Sequence, residues 1–193
     1  SSKDLINSIS QMNRDMSTFT AFRRTIEKCG ANGTIQVVSG KGESTVTRNF
    51  GYKFPVVVPD QFLSASGSSG IKRLLNAKVI SIDGIVEQMS EIDGIVGESY
   101  AKKTPLLIFA RGFSVDVQNT LGVNYSHGHL QVITISVPYD EIGAHLITDI
   151  STVCASDIVS SEKGEIVSGR KWSELNEVSS IFVSFDQHTV TIE

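Results

Sequence analysis

Cysteine, positive charge and long apolar runs are what this sequence has little of, and each shortage removes a class of function. The two cysteines, Cys29 and Cys154, stand far apart. That usage points to a reducing compartment rather than a disulfide framework, with a single bridge between them left open. Lys and Arg number 17 against 21 Asp and Glu, a net charge of -4, so no basic face is on offer to a nucleic acid. No apolar run reaches the ~18 residues that a membrane span needs. The opening Ser1-Ser2-Lys3-Asp4 leads into no hydrophobic signal segment. A soluble, cytoplasmic protein is the expectation. With 193 residues, 40% of them hydrophobic, the chain can build one domain, or one and a fraction, around a core that needs no staples.

Catalytic patterns are missing too. The only echo of a phosphate loop is Gly40-Lys41-Gly42. A working loop needs a hydroxyl residue straight after the lysine and a glycine five positions before it. Gly42 and Gln36 stand there instead, so a hairpin turn is the better reading. His127 and His129 offer two imidazoles, but zinc wants three or four ligands and neither cysteine is near in sequence. No Gly-x-Ser-x-Gly elbow occurs. Glu91 and Asp93 read as solvated carboxylates on a helix, and Trp172 as packing against the closing strands. These absences favour a binding module over an enzyme.

What is present is a grammar of alternating elements. Phe19, Phe22, Ile26 and Cys29 recur at helical spacing, and Gly30 follows as a stop. A weaker helical pattern covers Leu5, Ile6 and Ile9. Strands are expected over 34–38, 44–48 and 54–58, the first two joined by the turn Ser39-Gly40-Lys41-Gly42. Residues 64–70, rich in Ser and Gly, read as a surface loop. The pattern then predicts a strand over 78–82, a helix over 85–100, a strand over 105–110, a helix over 114–125 and a strand over 130–137. A helix over 140–150 follows, with Asp140 as N-cap and Ile142, Leu146 and Ile150 on one face. Strands over 181–185 and 189–192 close the chain. Strand-helix-strand-helix-strand in the middle implies an α/β fold with a right-handed parallel unit, flanked by β structure from both ends.

Two stretches resemble the group I (GroEL-type) chaperonins. Lys103-Thr-Pro-Leu-Leu-Ile-Phe-Ala110, then Leu121-Gly-Val-Asn124, Gly128 and the strand from Leu130 to Val137, are similar to that family's Lys-Pro-Leu-Leu-Ile-Ile-Ala segment, its helix ending Val-Val-Asn, and its Gly-Ile-Val-Lys-Val strand. Asp149-Ile-Ser-Thr-Val153, then Ile158-Val-Ser-Ser-Glu162 and Gly164, resemble its Asp-Ile-Ala-Thr-Leu, Val-Ile-Ser-Glu-Glu and Gly. Upstream, Lys28-Cys-Gly30 and Gly33-Thr-Ile-Gln-Val37 look like Lys-Val-Gly and Gly-Val-Ile-Thr-Val. Order and spacing carry the likeness over nearly the whole chain.

The resemblance implies a GroEL apical-domain-like fold over residues 51–193 and the ascending part of an intermediate domain over residues 1–50, with Gly51 at the hinge. It implies a chaperone that binds non-native polypeptides and a GroES-like co-chaperonin. ATP and Mg then belong to a full-length, ring-forming parent, and this stretch has no ATPase activity or cofactor of its own and is monomeric alone. Carried over by position, the binding groove takes Val58, Phe62 and Leu63 from an extended segment, Asp93 and Val96 from a first helix, and Gln118, Gly122 and Val123 from a second. Asp93, Gln118 and Gly122 stand where the family has apolar residues. Their substitution removes about 4–8 kcal/mol of gross apolar contact from a fully engaged client. The implied groove is less sticky and more selective, and Gly94, Gly97 and Gly122 would let backbones approach. Such drift suits a bacteriophage-encoded or paralogous relative.

Two other readings stay open. One is a small α/β ligand-binding or enzymatic domain with a site at the strand carboxyl ends, built from Ala110-Arg111-Gly112 and Val137-Pro138-Tyr139. The other is a ring-assembly module that binds no clients.

Overall fold

A computed structural model describes residues 16–30, Gly33, Ile35, Val37, Val46, and residues 50–65 and 70–193. Of the expected strands over 34–38 and 44–48 only Ile35, Val37 and Val46 are described, none of them in a strand; the turn at residues 39–42 and the pattern around Leu5–Ile9 lie outside the described residues. By its contacts the chain divides into two units, Ser1–Phe50 and Gly51–Glu193. In the first, helix α1 runs Met16–Cys29. Ile26 is buried on it, and Gly30 ends it in the left-handed region at φ 77°, its amide donating to the Ile26 carbonyl.

The second unit is built on one seven-stranded sheet. Its strands are β1 (Tyr52–Pro55), β2 (Ile71–Val86), β3 (Leu106–Phe113), β4 (Val132–Ser136), β5 (Ile158–Ser160), β6 (Asn176–Ser184) and β7 (Thr189–Ile192). They run in the order β1-β7-β6-β2-β3-β4, with β5 paired to β2. The helices are α2 (Asp93–Lys102), α3 (Val115–Ser126) and α4 (Glu141–Val153).

Strand β2 joins two kinds of sheet. Its first half pairs antiparallel with β6, from Ile71↔Ser184 to Val79↔Asn176. Its second half pairs parallel with β3, from Lys78↔Leu106 to Val86↔Phe113, and with β5 over Ser81–Asp83. Burial changes with the pairing. The antiparallel half leaves Ile71, Arg73 and Leu75 exposed, whereas Val79 to Ile82 are buried without a break. Parallel strands are covered on both faces by their crossover helices; antiparallel strands can keep one face wet.

The crossover rule places those helices. From β2 through α2 to β3, and from β3 through α3 to β4, the chain steps the same way along the sheet. Right-handed crossovers therefore put α2 and α3 on one face. From β4 through α4 to β5 the chain steps back, which puts α4 on the other face.

The elements correct several expectations. The helix predicted over 85–100 begins only at Asp93, because Ile85 and Val86 continue β2 after a register shift between Ile82 and Ile85. The strand predicted over 78–82 is the middle of a strand of 16 residues. Strand β6 starts at Asn176 rather than 181, and β5 was not anticipated. In α4 the buried positions are Gly143, Ile147, Ile150 and Ser151. Ile142, assigned to the core face, is 73% exposed.

Candidate functional site

The segment after β1 is fastened from two sides. The Val56 amide donates to the His188 carbonyl at 2.9 Å. Val57 and Ser136 exchange both backbone bonds, at 2.8 and 2.9 Å, in an isolated bridge to the end of β4. Val58 is buried, and a 3-10 turn follows over Asp60–Ala65. Within it Phe62 is fully buried and meets the Tyr125 ring edge-on at 5.3 Å. An edge-to-face pair of this kind contributes about 0.5–1.5 kcal/mol beyond its area.

Helix α3 receives that turn. Ser114 caps it, its hydroxyl oxygen accepting from the Val117 amide at 3.3 Å. Val117, Leu121, Gly122 and Tyr125 form its buried face. Gly122 lies directly under the turn: a Cβ there would stand 2.5 Å from Gln61 Cβ. The Gln61 amide donates to the Asn119 side-chain oxygen at 3.2 Å. Gly122 thus does allow a close approach, but the partner is Gln61 of the same chain. Burial raises the Tyr125 phenol above its ordinary pKa, and no hydrogen-bond partner reaches its oxygen among the described residues.

Helix α2 buries Ile95, Val96 and Ser99. Ser99 donates to the Thr104 carbonyl at 2.7 Å, tying the helix end to the entry of β3. Asp93 is exposed at the first position. At Gly94 and Gly97 an added Cβ would meet nothing within 4 Å, so among the described residues no backbone approaches them.

The eight groove positions therefore fall into two layers. Val58, Phe62, Val96 and Gly122 are inside; Asp93 and Val123 face solvent, and Gln118 is half-buried. The Leu63 side chain lies outside the described residues. Gly122 was expected on the partner-facing side of α3, and the turn at Gln61 covers it instead. Two residues of the clasp, Gln61 and Tyr125, were not singled out from the sequence. Tyr125 continues the period of Val117 and Leu121, a signal that was there to use; Gln61 carries no sequence signal. Of the groove positions not buried, Val123 is apolar and Asp93 and Gln118 are polar.

At the other end of the parallel strands, Arg111 and Tyr139 do come together, the guanidinium 5.1 Å from the ring centre. The His127 and His129 rings meet edge-on at 5.9 Å, and among the described residues no group of three metal-ligating side chains forms. Burial pushes the Cys154 thiol up to about 12, which holds it protonated and unreactive. Glu165 is held below the ordinary carboxylate range, chiefly by the Ser160 amide and also by Arg170. Trp172 packs against the core. No described helix is long and apolar enough to cross a membrane.

No family model matches the chain. Over 171 residues, 88% of the chain, it is 23% identical to the chloroplastic chaperonin 60 subunit alpha 2 of Arabidopsis thaliana. It is 25% identical over 168 residues to the chloroplastic RuBisCO large subunit-binding protein subunit alpha of Pisum sativum. To the chaperonin GroEL of Mycoplasmoides gallisepticum it is 21% identical over 169 residues, in each of the last two cases 86% of the chain. Among solved structures, the chaperonin gp146 from the bacteriophage EL 2 (Pseudomonas aeruginosa) superposes with a TM-score of 0.55 at 16% identity, over 74% of this chain and 28% of that one. The fold is thus a mixed α/β unit like that of part of a chaperonin. Over most of its length the chain is similar in sequence to GroEL-type chaperonins, and it spans 28–32% of the length of these three curated relatives.

Proposed function

We propose that this chain is the polypeptide-binding part of a molecular chaperone, with residues 51–193 as its apical domain and residues 1–50 as the ascending part of an intermediate domain. One observation carries the reading. Helices α2 and α3 share one face of the sheet, and the segment 56–62 is fastened to α3 through Phe62, Tyr125 and Gln61. Two helices beside a fixed extended segment make a surface on which a non-native chain can lay exposed apolar groups.

Asp93, Gln118 and Val123 are the contact positions of that surface, with Leu63 assigned to it by sequence. Val58, Phe62, Val96 and Gly122 set its floor. Gly51 serves as the hinge; at φ 97° it stands where a Cβ would come 2.2 Å from the Ile192 carbonyl oxygen, so only glycine fits. ATP hydrolysis with Mg, a ring of like subunits, a GroES-like co-chaperonin and a cytoplasmic setting are proposed for the whole protein.

Suppression of aggregation of a chemically denatured protein tests the reading. The chain should suppress it weakly. Asp93→Leu with Gln118→Leu should improve suppression severalfold, since each large apolar side chain that a client buries contributes up to about 1.5–3 kcal/mol. Val123→Ser should reduce it. Suppression that ignores all three changes moves the binding surface elsewhere; a complete lack of suppression favours a ring-assembly module.

A further inference from the structure

We propose that the carboxyl ends of the parallel strands carry a second docking surface, distinct from the α2–α3 face, that takes a basic polypeptide segment with apolar residues interspersed. The ends of β2 and β3, the turn after β4 and the start of α4 enclose an open cleft of about 550 Å³, lined by Asp83, Glu87, Ile85, Arg111, Tyr139 and Glu162 among others. Single exposed apolar side chains are ordinary. Here two line one cleft: Tyr139 is 74% exposed and Ile85 half exposed.

The aromatic anchor is held in place. The Arg111 side chain, only 8% exposed, lies under the Tyr139 ring. Its Nη2 donates to the Asp140 carbonyl at 2.8 Å, and its Nε stands 3.5 Å from Asp83 Oδ1, an ion pair without hydrogen-bond geometry. The Asp140 carboxylate accepts from the Gly143 amide at 2.8 Å. At Gly143 a Cβ would come 1.8 Å from the Pro138 carbonyl oxygen, so the turn closes tightly on itself. A partner that covers a ring fixed in this way loses little conformational entropy, which is why tyrosines on rigid supports make strong anchors.

Charge selects the partner. Among the described residues Arg111 is the one cation lining the cleft, and it is buried and paired with Asp83. The outward field comes from Glu87 and Glu162, both exposed; exposed Lys163 follows Glu162 but does not line the cleft. A lysine or arginine fits those carboxylates, while an apolar neighbour covers Tyr139 and Ile85. The rim then steers and selects, and the aromatic centre holds.

Fluorescence anisotropy on the full chain tests this, with a labelled peptide alternating lysine and leucine and a counterpart alternating glutamate and leucine. The lysine peptide should bind at least roughly tenfold more tightly and lose affinity as salt rises. Tyr139→Ala should weaken it about tenfold. Glu87→Gln with Glu162→Gln should remove most of the salt dependence. Equal binding of the two peptides overturns the proposal, as does indifference to the Tyr139 and glutamate changes. Binding lost with Val123→Ser instead assigns the peptide to the α2–α3 face. Self-association that buries Tyr139 would replace the peptide with a second copy of the chain. Because Val123 reads the first surface and Tyr139 the second, failure of one proposal is distinguishable from failure of the other.

Discussion

Two regions of the second unit are rich in aromatic and apolar residues, and the fold treats them oppositely. At the clasp, Phe62 is fully buried against Tyr125, and Gln61 lies on Gly122. At the strand ends, Tyr139 and Ile142 stand in solvent although the turn beneath them is tightly built. Both are ordered by close packing, yet only the clasp has spent its apolar surface on the chain itself. Residue type therefore says little about which apolar groups remain for a partner; the neighbours decide.

Substitutions can break that contrast, and the largest effect belongs at the clasp. Phe62→Ala leaves a cavity against Tyr125 and should destabilise the chain by about 3–5 kcal/mol in denaturant titration. A loss below about 1 kcal/mol would mean that the segment is not anchored there. Gly122→Val comes next. It restores the family's residue but drives a side chain into Gln61, and should cost about 1–3 kcal/mol through overpacking. Gln61→Gly added to it should recover part of that loss; simple additivity would show that the two positions do not touch. The smallest effect is at the strand ends, where Tyr139→Ala should change stability by no more than about 0.5 kcal/mol. A larger change would make Tyr139 a structural residue and weaken its case as an anchor.

Much of the order was legible along the chain. The buried run from Leu106 to Ala110 showed as a continuous apolar stretch because a parallel strand is covered on both faces. Ser114 and Asp140 both cap helices, and Asp140 was identified beforehand from its place before the periodic residues. Legibility failed where one element changes character. Residues 85–86 carry apolar side chains compatible with either a helix start or a strand end, and pairing with Gly112 and Phe113 settled it. In α4, two apolar stripes compete, Ile142–Leu146–Ile150 and Gly143–Ile147–Ile150. The sequence favoured the first for its larger residues. The tight packing of Gly143 against Pro138 turned the second inward.

The proposed groove exists in the sequence only as a set of positions assigned by resemblance. Matching by order located Val58, Phe62, Val96, Gln118, Gly122 and Val123, but exposure depends on contacts between residues far apart in the chain. Gln61 covers Gly122 across a sequence separation that no local pattern encodes.

By itself, then, the sequence determined the α/β grammar, the central strand-helix-strand-helix-strand unit, and the resemblance to GroEL-type chaperonins, because periodicity and spacing are properties of a linear chain. The tertiary structure alone decided which side of α4 is inside, how far β2 extends, and which apolar groups stay exposed. Those depend on pairing and packing between segments, where a glycine pressed against a carbonyl or an aromatic ring placed over a guanidinium outweighs local preference.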